Sequence, residues 1–369
     1  MTRLRVREFG LSIGKLPPGV NNAITDVAGV SVGHTTLISG DGALHPGVGP
    51  IRTGVTVILP HGDNLYQQKV IAAVHTINGF GKPFGFEQVR ELGVIESPIA
   101  LTNTLNVGLV ADALVQYAIR QNPRIGIDEA TVNVVIGETN DGFLNDIQGR
   151  HVRAEHVWQA IGSATSGSVE EGAVGAGTGT SCFGWKGGIG TSSRVLPAEV
   201  GGFTLGILVQ SNFGRAEDLL ILGHPIGKQI QPPTAPLPPG REGGSVMTVL
   251  ATDAPLTARQ LGRLCVRVAA GLARLGSVYD HGSGDFVIAF STAERIAARS
   301  DTMITTRRAL ADEGKIMRWL FPAVVESVEE AVLNSLFKAE TMVGRDGNVR
   351  YALPLNEIKQ LLKDNLNGG

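Results

Sequence analysis

Cysteine is scarce in this chain of 369 residues: Cys182 and Cys265 are the only two. They lie far apart, form no CxxC pair and rule out a disulfide framework. A reducing compartment, the cytoplasm, is therefore the expectation. Charge is scarce as well. Asp, Glu, Lys and Arg make up 18% of the residues, below the usual quarter, and the formal net charge is -2. No cluster of Lys or Arg offers a footprint for nucleic acid or for an anionic membrane. No run of eighteen apolar residues occurs, so no spanning helix is expected. The opening residues, MTRLRVREFGLSIG, carry charges but no apolar h-region, and no secretory signal is expected either.

Several catalytic signatures are missing too. There is no HExxH, and His151 and His156, five apart, do not share a helix face. No metal and no cofactor is expected on that ground. The nucleophile elbow GxSxG is absent. Gly175-Ala176-Gly177-Thr178-Gly179 invites a phosphate-loop reading, but GxxxxGK[ST] is absent and no apolar helix follows. His281-Gly282-Ser283-Gly284-Asp285 collects three triad residue types in five positions. A triad draws its members from distant segments, so this reads as a polar loop. A conventional serine hydrolase using His281 stays as a rival reading.

What is present is glycine, 49 residues of it, and a hydrophobic fraction of 43%, enough to bury a sizeable core. Short β-branched runs read as strands: 54–60, 72–81, 98–103, 131–137, 202–210, 246–251 and 286–290. Helical spacing marks 107–119, 151–161, 256–275 entered at Thr257, 316–342 with Pro322 inside, and 355–362. Residues 172–190 are dominated by glycine and read as tight turns. Several strand pairs lack an intervening helix, which favours a mixed α/β sheet over an all-parallel one.

One stretch stands out. Residues 223–244 hold six prolines and stop at Gly243-Gly244, and Ser245 then begins a strand-like run at once. Gly-Ser occurs at many loop ends. A sharper reading is that Ser245 becomes a chain end. Its hydroxyl can attack the Gly244 carbonyl to give an ester that water hydrolyses. The freed serine then holds a nucleophile and an α-amine base on one residue, with an amine pKa of about 7.7–8. Glycine before the bond leaves the carbonyl open and tolerates strained dihedrals.

The segments NNAITDVAGVSVGHT (21–35), GETNDGFLND (137–146), GAVGAGTGTSCFGWKGGIGTSSR (172–194), GGSVMTVLATDAPL (243–256), HGSGDFVIAFST (281–292) and LNSLFKAETMVGRDG (333–347) together resemble the DmpA family of self-processing peptidases. That family includes L-aminopeptidase D-Ala-esterase/amidases and β-peptidyl aminopeptidases. The resemblance implies an αββα four-layer sandwich, two mixed sheets with outer helices, Ntn-hydrolase-like but differently connected. It implies one structural domain, 1–369, cut at Gly244–Ser245 into an α-chain 1–244 and a β-chain 245–369, with a tetramer of such heterodimers. Ser245 matches the family's nucleophile and Asn212 its oxyanion asparagine. Ser283 and Asp285 match the pair beside the new amine; Asp285 stands where some relatives have glutamate. Glu138 matches the acid that binds a substrate's ammonium. Some relatives use a tyrosine as second oxyanion donor from the region matching 138–146. This chain offers Asn140 and Phe143 there, and no tyrosine. Lys186 and Arg194 read as structural. The implied activity is metal-free hydrolysis of short peptides, amino-acid amides or esters with a free N-terminal amine. Two further rivals are a self-cleaving acyltransferase of the ornithine acetyltransferase kind, disfavoured because those use threonine, and an uncut binding protein on the same scaffold.

Overall fold

The β-branched runs fall into two mixed sheets in the computed structural model, which describes residues 3–233 and 244–367. The first sheet has β1 (Ser31–Ser39), β2 (Ile51–Leu59), β5 (Ile99–Asn103) and β6 (Val135–Thr139) side by side in that order. The second has β3 (Gln68–Gly79), β4 (Val94–Ile95), β9 (Gly188–Val195), β10 (Thr204–Asn212), β11 (Ser245–Thr252) and β12 (Gly284–Ala297), in the spatial order β4-β3-β12-β11-β10-β9. Each sheet contains one parallel pair, β5 with β6 and β11 with β12. Two small ribbons join β7 (Ser181–Cys182) to β8 (Trp185–Lys186) and β13 (Met342–Val343) to β14 (Val349–Arg350).

Period-two alternation assigns the layers. On β11, Met247, Val249 and Ala251 share an apolar cluster with Ile58, Leu101 and Val135 of the first sheet. Val246 and Leu250 point the other way, into a cluster with α4 (Ala258–Ala273) and α5 (Glu313–Lys338). On the first sheet, Val55, Val57 and Ala100 turn outward onto α2 (Val107–Gln121) and α3 (Ala154–Gly162). The result is four layers, helix–sheet–sheet–helix, as the resemblance implies. Two further helices, α1 (Phe86–Leu92) and α6 (Leu355–Asn367), complete the set among the described residues. Strand β11 is buried on both faces and flanked by β10 and β12, so it is central.

The two-residue strands β4, β7, β8, β13 and β14 were not expected, and two longer strands differ from the sequence reading. Residues 188–195 lie in β9, buried, within and just beyond a stretch expected to be turns. They lack an apolar alternation because α5 packs almost onto their backbone: a Cβ on Gly190 would sit 2.0 Å from the Ala331 carbonyl oxygen. Strand β1 has a similar Gly/Ser/Thr-rich sequence and was not expected. Elsewhere boundaries move by up to seven residues, the largest shift being the end of β12 at Ala297. Thr257 caps α4, accepting from the Gln260 N–H at 3.3 Å, and α5 runs through Pro322.

The N-terminal segment is tied to this frame by buried charge. Arg194 is fully buried and donates to Glu330 at 2.7 Å and to Glu326 at 3.2 Å. Glu330, also fully buried, accepts from Arg7 at 2.7 and 2.8 Å and from Asn22 at 2.6 Å. Arg194 is structural, as expected. Removing one partner of such a group strands the others without compensation. Glu330→Ala should lower unfolding stability by about 3–5 kcal/mol, read from denaturant midpoints. A loss below about 1 kcal/mol would mean that the network behaves like a surface ion pair.

Candidate active site

Alternation also aims the site. Ser245 shares the parity of Met247 and Val249, so its side chain faces the gap between the sheets. Antiparallel register sets Asn212 directly opposite. Asn212 shares the parity of Leu208, which lies in the inter-sheet cluster, and its Nδ2 donates to Ser245 Oγ at 3.1 Å. Its Oδ1 accepts the Ser181 N–H at 2.9 Å, which fixes which end of the amide faces the serine.

The second donor comes from the other sheet. Just past β6, the backbone N–H of Asn140 donates to Ser245 Oγ at 3.2 Å. The sequence reading pointed to the Asn140 residue; the contact is made by its main chain. The side-chain Oδ1 instead accepts the Gly142 N–H at 2.9 Å and shapes the turn. The ring of Phe143 lies under the Arg350 guanidinium at 3.7 Å.

The Gly244–Ser245 bond is bracketed from the opposite side. Gly244 O accepts the Gly284 N–H at 3.0 Å. A Cβ on Gly244 would come within 3.0 Å of Ser283 Oγ and 3.3 Å of Phe213 Cα, so the position has little room for a side chain. Glycine here leaves the carbonyl open to approach. Ser283 Oγ donates to Asp285 Oδ1 at 2.7 Å. Asp285 is buried and its Oδ2 has no hydrogen-bond partner among the described residues. Burial pushes its carboxyl up to about 6, against a smaller opposing pull from the Ser283 hydroxyl.

Glu138 ends up two residues before Asn140 and is buried. Its Oε1 accepts the Lys82 N–H at 2.8 Å, and Thr104 Oγ1 donates to Oε2. The strap Phe80–Gly81–Lys82 links it to the serine's neighbourhood: Phe80 N–H donates to Ser283 O at 3.3 Å. A Cβ on Gly81 would meet Glu138 Oε1 at 3.0 Å. His281 is exposed, with its ring 6.3 Å from that of Phe80, and makes no hydrogen bond with Ser245 among the described residues. The reading with His281 as base lacks its contact. The structure thus gathers Ser245, Gly244, Asn212, Asn140, Ser283 and Asp285 at one bond, with Glu138 at its flank. Sequence reasoning missed the backbone donors of Gly284 and Ser181, since every residue but proline carries an N–H.

A hydroxyl that opens a central strand of an αββα sandwich, with donors from both sheets, defines a hydrolase of the Ntn type of architecture. The chain belongs to peptidase family S58, which matches over residues 22–350. It is 40% identical to the beta-peptidyl aminopeptidase BapA of Sphingosinicella microcystinivorans, over 97% of this chain and 92% of that one. Among solved structures it resembles the PH0078 protein of Pyrococcus horikoshii OT3, with TM-score 0.91, 49% identity and coverage of 98% and 99%. The Burkholderia sp. beta-aminopeptidase gives TM-score 0.89, 40% identity and coverage of 98% and 99%. The L-aminopeptidase D-Ala-esterase/amidase of Ochrobactrum anthropi, described as a variant of the Ntn hydrolase fold, gives 0.87, 36%, and 98% of both chains.

Because burial raises the Asp285 carboxyl from 3.8 to about 6, its contribution to stability is fully present below the ordinary value. That contribution is lost as pH rises through about 6. In an uncut Ser245→Ala chain, Asp285→Asn should therefore raise the thermal midpoint at pH 8 and give no gain near pH 4. An equal gain at both pH values would contradict the burial of this charge.

Proposed function

We propose that the chain cuts itself between Gly244 and Ser245 and then hydrolyses short peptides, amides or esters that carry a free N-terminal amine. It is an aminopeptidase of the N-terminal-nucleophile type, a class that rests on membership of family S58. The observation that carries the self-cutting reading is local: Ser245 Oγ receives two N–H donors beside a peptide bond whose preceding residue has no side chain.

In the first reaction Ser245 Oγ attacks the Gly244 carbonyl carbon. The Gly284 N–H, 3.0 Å from that carbonyl oxygen, is placed to take up its developing charge. Collapse breaks the C–N bond, the Ser245 nitrogen departs as the free amine with the proton from Oγ, and Gly244 is left as an ester on Oγ. Water hydrolyses the ester, which frees the Ser245 hydroxyl and leaves Gly244 as a carboxylate chain end. In the second reaction that amine takes the Oγ proton as Oγ attacks the substrate carbonyl. Asn212 Nδ2 and the Asn140 N–H stabilise the negative charge around the tetrahedral centre. The protonated amine then gives its proton to the leaving group, and water deacylates the serine. Ser283 and Asp285 orient the amine; the unpartnered Asp285 Oδ2 is an acceptor still free to do so. Glu138 receives the substrate's ammonium. Its two present donors leave lone pairs open on a carboxylate that can accept about four hydrogen bonds.

The α-chain 1–244 and β-chain 245–369 stay together in this reading, because β11 pairs with β10 of the α-chain along eight residues. A tetramer of heterodimers is the assembly that the family resemblance supports. Two buried, unpaired cysteines, Cys182 and Cys265, support a reducing cytoplasm. No helix among the described residues is long and apolar enough to cross a membrane.

The direct assay compares alanine p-nitroanilide with its N-acetyl form. Hydrolysis of the free-amine compound alone is expected; equal rates would remove Glu138 from the proposal. Glu138→Gln should raise KM about 10–100-fold, the worth of a charge-assisted hydrogen bond, with a smaller change in kcat. Asn212→Ala should lower kcat about 10²–10³-fold with KM little changed, measured on cut enzyme by initial rates.

A further inference from the structure

Lys186 has no part in the chemistry above, yet it is fully buried. A lysine rarely leaves water without a carboxylate partner. This one has none within ion-pair distance among the described residues. Its Nζ donates instead to three backbone carbonyls, Gly177 at 2.9 Å, Thr180 at 2.9 Å and Gly187 at 2.7 Å. Burial pushes the amine down to about 7, with the buried Asp141 and Cys182 pulling it up and Arg350 adding to the fall. Three carbonyl acceptors take three N–H donors, the number an ammonium carries and a neutral amine does not.

The Thr180 carbonyl shows what the ammonium does. The same peptide group presents its N–H, that of Ser181, to Asn212 Oδ1 at 2.9 Å. The other end of that carboxamide donates to Ser245 Oγ. A continuous chain therefore runs from Lys186 Nζ through the Thr180–Ser181 peptide and the Asn212 amide to Ser245. Peptide and carboxamide are both conjugated planes. Positive charge at the oxygen of each strengthens the N–H donor at its nitrogen, and linked hydrogen bonds reinforce one another. The chain also fixes the sense of the Asn212 amide. With its ends exchanged, Nδ2 would face the Ser181 N–H, donor to donor.

The local fold is built to keep this arrangement. Strands β7 and β8 pair Ser181 with Lys186 across a two-residue turn. Phe183 and Gly184, with φ of 48° and 73°, occupy the left-handed region that such a tight turn requires. The Gly187 N–H donates to the same Thr180 carbonyl at 3.1 Å, and Arg350 Nε holds Ser181 Oγ at 2.8 Å.

We propose that Lys186 is a positioning residue for the reaction: its ammonium, through the Thr180–Ser181 peptide, orients and polarises Asn212 as the donor at Ser245. This rests on the function proposed above. The test is a double-mutant cycle of Lys186→Met and Asn212→Ala, read as kcat and KM on alanine p-nitroanilide with cut enzyme. Lys186→Met should lower kcat at least about tenfold with KM within about twofold. In the Asn212→Ala background it should cost nothing further, because its route to the serine is already gone. An unchanged kcat, or losses that multiply in the double variant, would overturn the proposal. Should a variant fail to fold or to be cut, the wild-type enzyme serves. Its Lys186 ¹⁵Nζ resonance should move when an alanine boronic acid forms a tetrahedral adduct on Ser245; an unmoved resonance overturns the proposal. A wild type that is cut and active beside an unaffected Lys186→Met sinks this inference alone. An uncut, inactive wild type sinks the function beneath it.

Discussion

The antiparallel ladder between β10 and β11 is the constraint on which the site depends. It sets Asn212 opposite Ser245 and aims both side chains into the gap between the sheets. A slip of one residue would send every side chain of β11 to the other face. Met247 and Val249 would leave the inter-sheet core, and Ser245 would turn away from Asn140. The register is therefore held by the same burial that holds the sandwich together. On its other side β11 runs parallel to β12, which places Gly284 beside Ser245 and brings the Gly284 N–H onto the Gly244 carbonyl. Packing and chemistry here are set by one strand.

A buried titratable group stands behind each donor. Lys186 lies behind Asn212, as argued above. Asp141 lies behind the Asn140 N–H. It is buried, pushed up to about 7 by that burial, and accepts from Thr53 Oγ1 and from Asn145 Nδ2 at 3.0 Å. Its carbonyl accepts the Leu144 and Asn145 N–H groups at 3.1 Å each, which closes the turn carrying Asn140. Polar groups that are buried and satisfied give a fixed geometry. A preorganised donor need not reorganise as charge develops. The unpartnered oxygen of Asp285 departs from that pattern.

Much of this was legible in the sequence, unevenly. The apolar runs of β11 and β12 and the amphipathic α4 with its Thr257 cap stand out, because burial on a regular element leaves a period. Strands β1 and β9 do not, since Gly, Ser and Thr face backbones too close for larger side chains. Ser245 could be singled out by chemical argument at the end of a proline-rich stretch, although residues 234–243 of that stretch lie outside the described structure. Asn212, Ser283, Asp285 and Glu138 came from family resemblance, because spacing alone gives no reason to join residues so far apart. The Asn140 N–H and the Lys186 chain were not legible by either route. One is backbone, present at nearly every residue, and the other depends on which carbonyls a folded loop turns inward.

The catalytic role of Ser245 requires that it become a chain end. A denaturing intact-mass spectrum of the purified, folded protein tests this most directly. Cleavage predicts two chains of roughly 26 and 13 kDa by residue share, with the smaller beginning SVMTV. A single chain at 38.8 kDa that persists in well-folded protein would contradict it.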